Sequence, residues 1–396
     1  MSVFRLEPHR HASRARGRRG LRALAYSVAG LIGFTSIGGY YYVDSVLNKI
    51  EAVDTTVLLG QDRPTPPPPP VDGAKGEPIN VLLMGSDSRV GANAAIGGEA
   101  GGMRNDTTIV LHISADRTRM ELMSIPRDSW VRTSDCTLFD GSVNKGWSGK
   151  FNVAFYNGGR TNNNPAEAAA CVQKTVEDLT GIYINYYAVV DFVGFEAMID
   201  ALDGVPMCIP GHIVAPEAGL DIQGGPQTLD GRTALAWARA RKATVGRQWL
   251  DGSDLGRIQR QQELLARVAE KAMSENLFLD QGKLRNFISA GAESMTTSPR
   301  LTDATFLIGL AFSLRHIQPE NIVFTTVPNT RDTEHSGSVK WTSAAYAMFK
   351  DIIADRPIAG RSVADASTAA PVPVPSGSAN PTVEPSIDPL GACTVT

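Results

Sequence analysis

Between residues 76 and 356, short runs of aliphatic and β-branched residues alternate with longer stretches whose apolar positions recur every three or four residues. The short runs predict strands at Ile79–Gly85, Thr107–Ile113, Arg119–Ile125, Tyr186–Asp191 and Ile322–Val327. The longer stretches predict helices at Pro165–Thr180, Phe192–Leu202, Asp230–Ala238, Asp254–Ser274, Gln281–Glu293, Thr302–Ser313 and Ser343–Ile353. The polar link Ala115–Thr118 makes the second and third strands an antiparallel hairpin, whereas helices separate the other strands. That alternation predicts a single α/β domain with a central mixed β-sheet flanked by helices on both faces.

A different pattern precedes the body. Seven arginines lie between Arg5 and Arg22, and the 21 residues Ala23–Val43 that follow carry no charge. About 20 apolar residues span a bilayer core, and flanking arginines stay cytoplasmic. Residues 1–22 are therefore expected to be a cytoplasmic tail and 23–43 a transmembrane helix. That topology makes the chain a single-pass membrane protein with an extracytoplasmic body. A cleaved signal peptide is the alternative, but its apolar region is shorter. Residues 44–75, with Pro64 and Pro66–Pro70, predict a stalk and a stiff proline-rich spacer holding the body off the membrane. Residues 357–396 are rich in Pro, Ser, Ala and Thr and are expected to be disordered.

Composition narrows the function. Apolar residues make up 42% and charged residues 20%, which are globular values. The net charge of −3 hides the basic tail, so the rest is acidic, which argues against nucleic acid as a partner. Four cysteines suit an oxidising compartment. A Cys136–Cys171 bridge and three buried thiols are both open readings.

Three polar clusters interrupt this frame. Gly85-Ser86-Asp87-Ser88-Arg89 ends the first strand, and Arg104-Asn105-Asp106 enters the second after a glycine-rich loop. Carboxylates at neighbouring strand ends, Asp87 and Asp106, suit Mg²⁺ (or Mn²⁺), which takes few protein oxygens. Ser124-Ile125-Pro126-Arg127-Asp128 ends the third strand with a charged pair. Arg239 and Arg241 then precede a helix that opens with Asp254 and carries Arg257, Arg260 and Gln261. Guanidiniums gathered from two segments repel one another unless an anion lies between them, and Arg binds phosphate oxygens bidentately. Turns, caps and a solvated basic helix face are the ordinary alternatives. There is no Walker loop, G-x-S-x-G or H-E-x-x-H, and the six histidines are scattered, with His112 placed structurally in a strand. Metal and arginine electrostatics on a phosphoryl group remain.

In this order, "NVLLMGSDSR", "RNDTTIVLHI", "SIPRDSWV", "KFNVAFYNGG", "YYAVVDFVGFEAMIDALDGVPMCIP", "LDGRTALAWARARK" and "DLGRIQRQQELL" resemble the LytR-CpsA-Psr family of envelope glycopolymer phosphotransferases. The resemblance implies a Mg²⁺-dependent enzyme of cell-wall assembly. Such an enzyme moves a glycopolymer phosphate from a polyprenyl-pyrophosphate carrier to a peptidoglycan sugar hydroxyl. It implies Asp87 and Asp106 as metal-associated residues and Arg89, Arg127, Arg239, Arg241 and Arg257 as the pyrophosphate grip. Arg260 and Gln261 fall beside them, Asp254 faces the acceptor hydroxyl, Lys150 and Asn152 line the pocket, and the Phe192–Leu202 region houses the lipid. The loop between Asp87 and Asp106 is longer than the family pattern, and Val153 and Phe155 stand where members often carry His. A Pro/Ser-rich tail stands where many actinobacterial members carry a further domain, and the residue usage suggests an actinobacterial source. A phosphohydrolase using the same site and a non-catalytic lipid-binding regulator are the competing readings.

Overall fold

The computed structural model describes residues 47, 49–67, 76–87, 103–209, 211–240, 243–245, 248–249, 254–274 and 281–362. The predicted span, the glycine-rich loop and most of the tail lie outside them. Among the described residues, no helix is long and apolar enough to cross a membrane.

Eight strands form the central sheet: β1 (Glu51–Ala52), β2 (Ile79–Ser86), β3 (Asn105–Ile113), β4 (Met120–Ser124), β5 (Tyr186–Val190), β6 (Met295–Thr297), β7 (Ile322–Thr326) and β8 (Arg361–Ser362). Their order is β1-β6-β5-β2-β3-β4-β7-β8. β2 runs antiparallel to β3 and parallel to β5, and β4 runs antiparallel to β3 and parallel to β7, so the sheet is mixed as expected.

The helices are α1 (Val153–Gly159), α2 (Pro165–Thr180), α3 (Phe192–Asp200), α4 (Gly231–Arg239), α5 (Asp254–Ser274), α6 (Gln281–Gly291), α7 (Ala304–Leu314) and α8 (Ser343–Ile353). Strand side chains alternate between faces, so a continuous apolar run serves two cores. Leu82 and Met84 of β2 face α1, α2 and α8, where Phe155, Val172 and Phe349 pack. Ile79, Val81 and Leu83 face α7 through Phe306, Leu310 and Leu314. α5 covers β4 and β7 on that second face through Leu265, Ala266 and Ala269. Helices flank both faces. A smaller layer, with Val205–Ile209 paired to Gly225–Leu229, packs on α3, α4 and α5.

Local chemistry sets these boundaries. Asn164 caps α2 by accepting from the N–H groups of Ala166 and Glu167, and Pro165 follows as the first helical residue. Gly181, at φ 72°, ends the helix in the left-handed region that glycine enters freely. A disulfide joins Cys136 to Cys171 of α2, with Cα atoms 5.1 Å apart.

The stalk expectation does not hold for residues 51–63. β1 pairs with β6, Tyr187 donates its hydroxyl to Val53 O at 2.9 Å, and Leu58 and Leu59 bury against Ala170. Arg63 forks onto Glu177 at 2.6 and 3.0 Å and lies 4.2 Å from the Tyr183 ring centroid. The proline run therefore follows a segment already built into the body.

Candidate active site

Parallel pairing of β2 with β5 and of β4 with β7 brings the carboxyl ends of all four strands, and the amino end of β3, to one edge of the sheet. Loops at such ends are free to carry polar groups. At this edge the β2–β3 register slips: Gly85 pairs with Thr107 but Ser86 pairs with Asn105, leaving Asp106 as the extra residue. A bulge of this kind re-aims the side chain it frees. Asp87 follows directly. Its N–H donates to Arg104 O at 2.9 Å, and its Oδ1 accepts the Arg104 N–H at 2.7 Å. The two expected metal aspartates thus flank one strand junction.

Two arginines meet on Asp106. Arg127 Nη1 bonds to its Oδ1, and Arg257 Nη1 lies 3.2 Å from its Oδ2 while Nη2 donates to its backbone carbonyl at 3.1 Å. Arg257 is 1% exposed, whereas the Asp106 side chain keeps 31%, so the carboxylate marks where the buried charge reaches solvent. Gln262, which sequence reasoning passed over, fixes the helix that delivers Arg257. Its Nε2 donates to Ser124 Oγ at 3.2 Å, Thr325 O at 2.9 Å and Thr326 Oγ1 at 3.0 Å, tying α5 to the ends of β4 and β7. A residue bonding two strand ends is invisible to helical periodicity.

Arg127 sits in a turn closed by Ser129 N–H on Pro126 O, and Asn152 N–H donates to Arg127 O at 3.1 Å. Lys150 Nζ donates to Asp128 Oδ1 at 2.8 Å. Lys150 and Asn152 therefore stand beside the Arg127–Asp128 turn, one by side chain and one by backbone. Arg239 ends α4 with its guanidinium 4.4 Å from the Phe192 ring centroid, at the start of α3 beyond β5. Burial pushes the nearby Glu196 carboxyl up and Asp200 adds to this, while Arg232 and Arg239 oppose it.

Other expected residues are placed differently. Arg260 donates to Ala240 O and Gln261 Nε2 to Ala238 O at 3.3 Å, so both reach the carbonyl end of α4. Ile199 and Leu202 of the supposed lipid region are buried in the packing of α3. Arg89 and Arg241 lie outside the described residues, as does the side chain of Asp254, which opens α5.

The hairpin Asn329–Arg331/Val339–Trp341 borders the same edge, with Val339 N–H on Asp128 O at 3.0 Å and Trp341 Nε1 on Ser129 Oγ at 2.9 Å. In its loop, Asp332, Glu334 and His335 bring ligand atoms within 4.8 Å of one another, and His335 stacks on Trp130 at 3.8 Å. The backbone N–H of Glu334, then the His335 side chain and backbone N–H, hold the Asp332 carboxyl below the usual range, which marks it as the tie of that loop. The sequence pattern carried no signal for this hairpin.

The sequence model of the LytR_cpsA_psr family matches residues 42–352. The chain belongs to the LytR_cpsA_psr family. As a LytR_cpsA_psr protein it is 32% identical over 322 residues to the probable cell wall biosynthesis protein LcpB of Corynebacterium glutamicum, covering 78% of this chain. The match spans 66% of LcpB, just under two thirds of its length. It is 27% identical to the polyisoprenyl-teichoic acid–peptidoglycan teichoic acid transferase TagU of Bacillus mycoides, over 71% of this chain and 82% of TagU. Among solved structures, the LytR-Csp2A-Psr enzyme from Actinomyces oris shares the fold with a TM-score of 0.51 at 17% identity, over 76% of this LytR_cpsA_psr chain and 95% of that one.

Proposed function

We propose that this chain is a phosphotransferase that moves a glycopolymer phosphate from a polyprenyl-pyrophosphate carrier to a peptidoglycan sugar hydroxyl, anchored in the membrane by residues 23–43. The observation that carries the reading is the convergence of Arg127 and Arg257 on Asp106 beside Asp87. Without a bound anion, the Asp106 carboxylate compensates two guanidiniums that would otherwise repel. A diphosphate brought to this edge finds donors already in place, with Lys150 adjacent. The polyisoprenyl-teichoic acid transferase name of TagU supports the substrate class.

In the reaction, the acceptor hydroxyl oxygen bonds to the polymer-proximal phosphorus as the P–O bond to polyprenyl phosphate breaks. The hydroxyl proton passes to a base, for which Asp254 at the start of α5 is the candidate. Arg127 and Arg257 bind the phosphoryl oxygens on which charge accumulates, and Arg239 approaches from α4. Asp87 and Asp106 fit a hard divalent ion. A carboxylate has roughly four lone-pair sites, so pairing with arginine does not exclude metal. Mg²⁺ or Mn²⁺ held there would supply charge neutralisation on the phosphoryl oxygens.

The test is full-length protein in vesicles with a lipid-pyrophosphate glycan, peptidoglycan and Mg²⁺. Wild type is expected to form glycan–peptidoglycan product, and Arg127→Ala to lose on the order of 10²–10³-fold. Release of free glycan at the same rate with and without peptidoglycan would identify a phosphohydrolase instead.

A further inference from the structure

We propose that the outer face of α7 is a lipid-contact surface seated on an anionic bilayer, an inference that rests on the membrane anchoring proposed above. α7 reads ATFLIGLAFSL, with no charged residue. Its inner side packs Phe306, Leu310 and Leu314 on β2 and β3. A surface helix in water turns a polar side outward, and a helix apolar all round belongs in a core or in lipid. α7 does neither in solution: Ile308 is 41% and Phe312 61% exposed, one turn apart on the same face.

A cation stands beside this patch. The Arg315 guanidinium lies 3.6 Å from the Phe312 ring centroid, whereas that of Arg300 lies 4.8 Å from the inward-packed Phe306. Arg300 pairs with Asp303 at 2.8 Å, so Arg315 contributes the less compensated charge. An apolar side bordered by arginine is the composition of interfacial helices, which dip their apolar residues below anionic headgroups.

Chain connectivity places the patch near a membrane. Leu47 and Ile50 are buried in the body, β1 pairs with β6, and Val53 N–H bonds Thr297 O at 2.9 Å. Residues 298–303 lead from there directly into α7. Three residues lie between Val43 and Leu47, so four Cα steps give a reach of at most about 14 Å. With the anchor proposed to end at Val43, the start of the body can lie no farther than that reach from the bilayer surface.

The experiment uses the full chain in nanodiscs of phosphatidylcholine and phosphatidylglycerol, with the photoreactive p-benzoylphenylalanine replacing Phe312 or, separately, Tyr346. Tyr346 is comparably exposed, at 52%, on α8 across the sheet. Lipid adducts are expected at least tenfold more often from position 312 than from 346, and Arg315→Glu is expected to lower the phosphatidylglycerol adducts severalfold. Equal adducts at both positions, or a cross-link from 312 to a second copy of the chain, would overturn the proposal while the anchor stands. Extraction of the chain from membranes by alkali would instead remove the anchor reading, and this inference with it.

Discussion

Arg257 and Arg239, both proposed to grip the phosphate, are held in different ways. Arg257 is enclosed and its guanidinium meets both the carboxylate and the carbonyl of Asp106. Removing Arg257 breaks both contacts and empties an enclosed volume, while Arg127 still compensates the Asp106 carboxylate, so a cost of about 1–3 kcal/mol is expected. Arg257→Ala is therefore expected to shift the urea midpoint markedly and also to abolish transfer. Arg239 lies over Phe192 at a helix end, a contact of about 0.5–1 kcal/mol. Arg239→Ala is expected to leave the urea midpoint within that margin while transfer falls about 10²-fold. A stability loss in Arg239→Ala matching that of Arg257→Ala would make Arg239 a structural residue.

The elements that periodicity and caps define were legible. Pro165–Thr180 and Asp254–Ser274 match the expected helices residue for residue, and the five expected strands all form. β1 and β8, of two residues each, carry no period, and the hairpin at 329–341 joins the site only through tertiary bonds to Asp128 and Ser129. Of the site, Asp87, Asp106 and Arg127 were readable because strand ends announce themselves. Gln262 was not, and neither was the diversion of Arg260 and Gln261 to α4, because both depend on which helix end lies opposite. His112 does prove structural, at the far edge of the sheet. Its Nδ1 bonds Asn80, and its Nε2 lies 3.1 Å from Asp355, which also accepts Arg119 Nη2 and Ala115 N–H. Burial works to raise the Asp355 carboxyl, but hydrogen bonds from His112 and Ala115 and the charges of His112 and Arg119 hold it below its usual value. A depressed carboxyl stabilises the fold above its unfolded pKa near about 4 and loses that contribution as pH falls through the folded value. Melting temperatures between pH 5 and 2.5 should therefore fall more steeply for wild type than for Asp355→Asn. Glu121, which burial pushes up, has the opposite sign and is common to both proteins. Parallel curves would remove Asp355 from the acid response.

At the scale of the whole molecule, the decisive point is where the body begins. Arg63 and β1 dock ahead of residues 68–75, so packed segments precede as well as follow that stretch in sequence. Lengthening a loop costs little, about 0.6 kcal/mol per doubling, because closure entropy grows only with the logarithm of length. Eight Gly/Ser residues inserted after Pro70 should thus leave stability and lipid labelling at position 312 nearly unchanged. The same eight inserted after Asp44 add up to about 28 Å of slack between the expected span and Leu47. That slack should release α7 from the surface and lower labelling severalfold, with the urea midpoint unaffected. The paired insertions separate tether from loop directly. If the proline-run insertion lowers labelling as much as the Asp44 insertion does, the prolines are a spacer after all, and the docking of β1 and Arg63 does not fix the distance between body and bilayer.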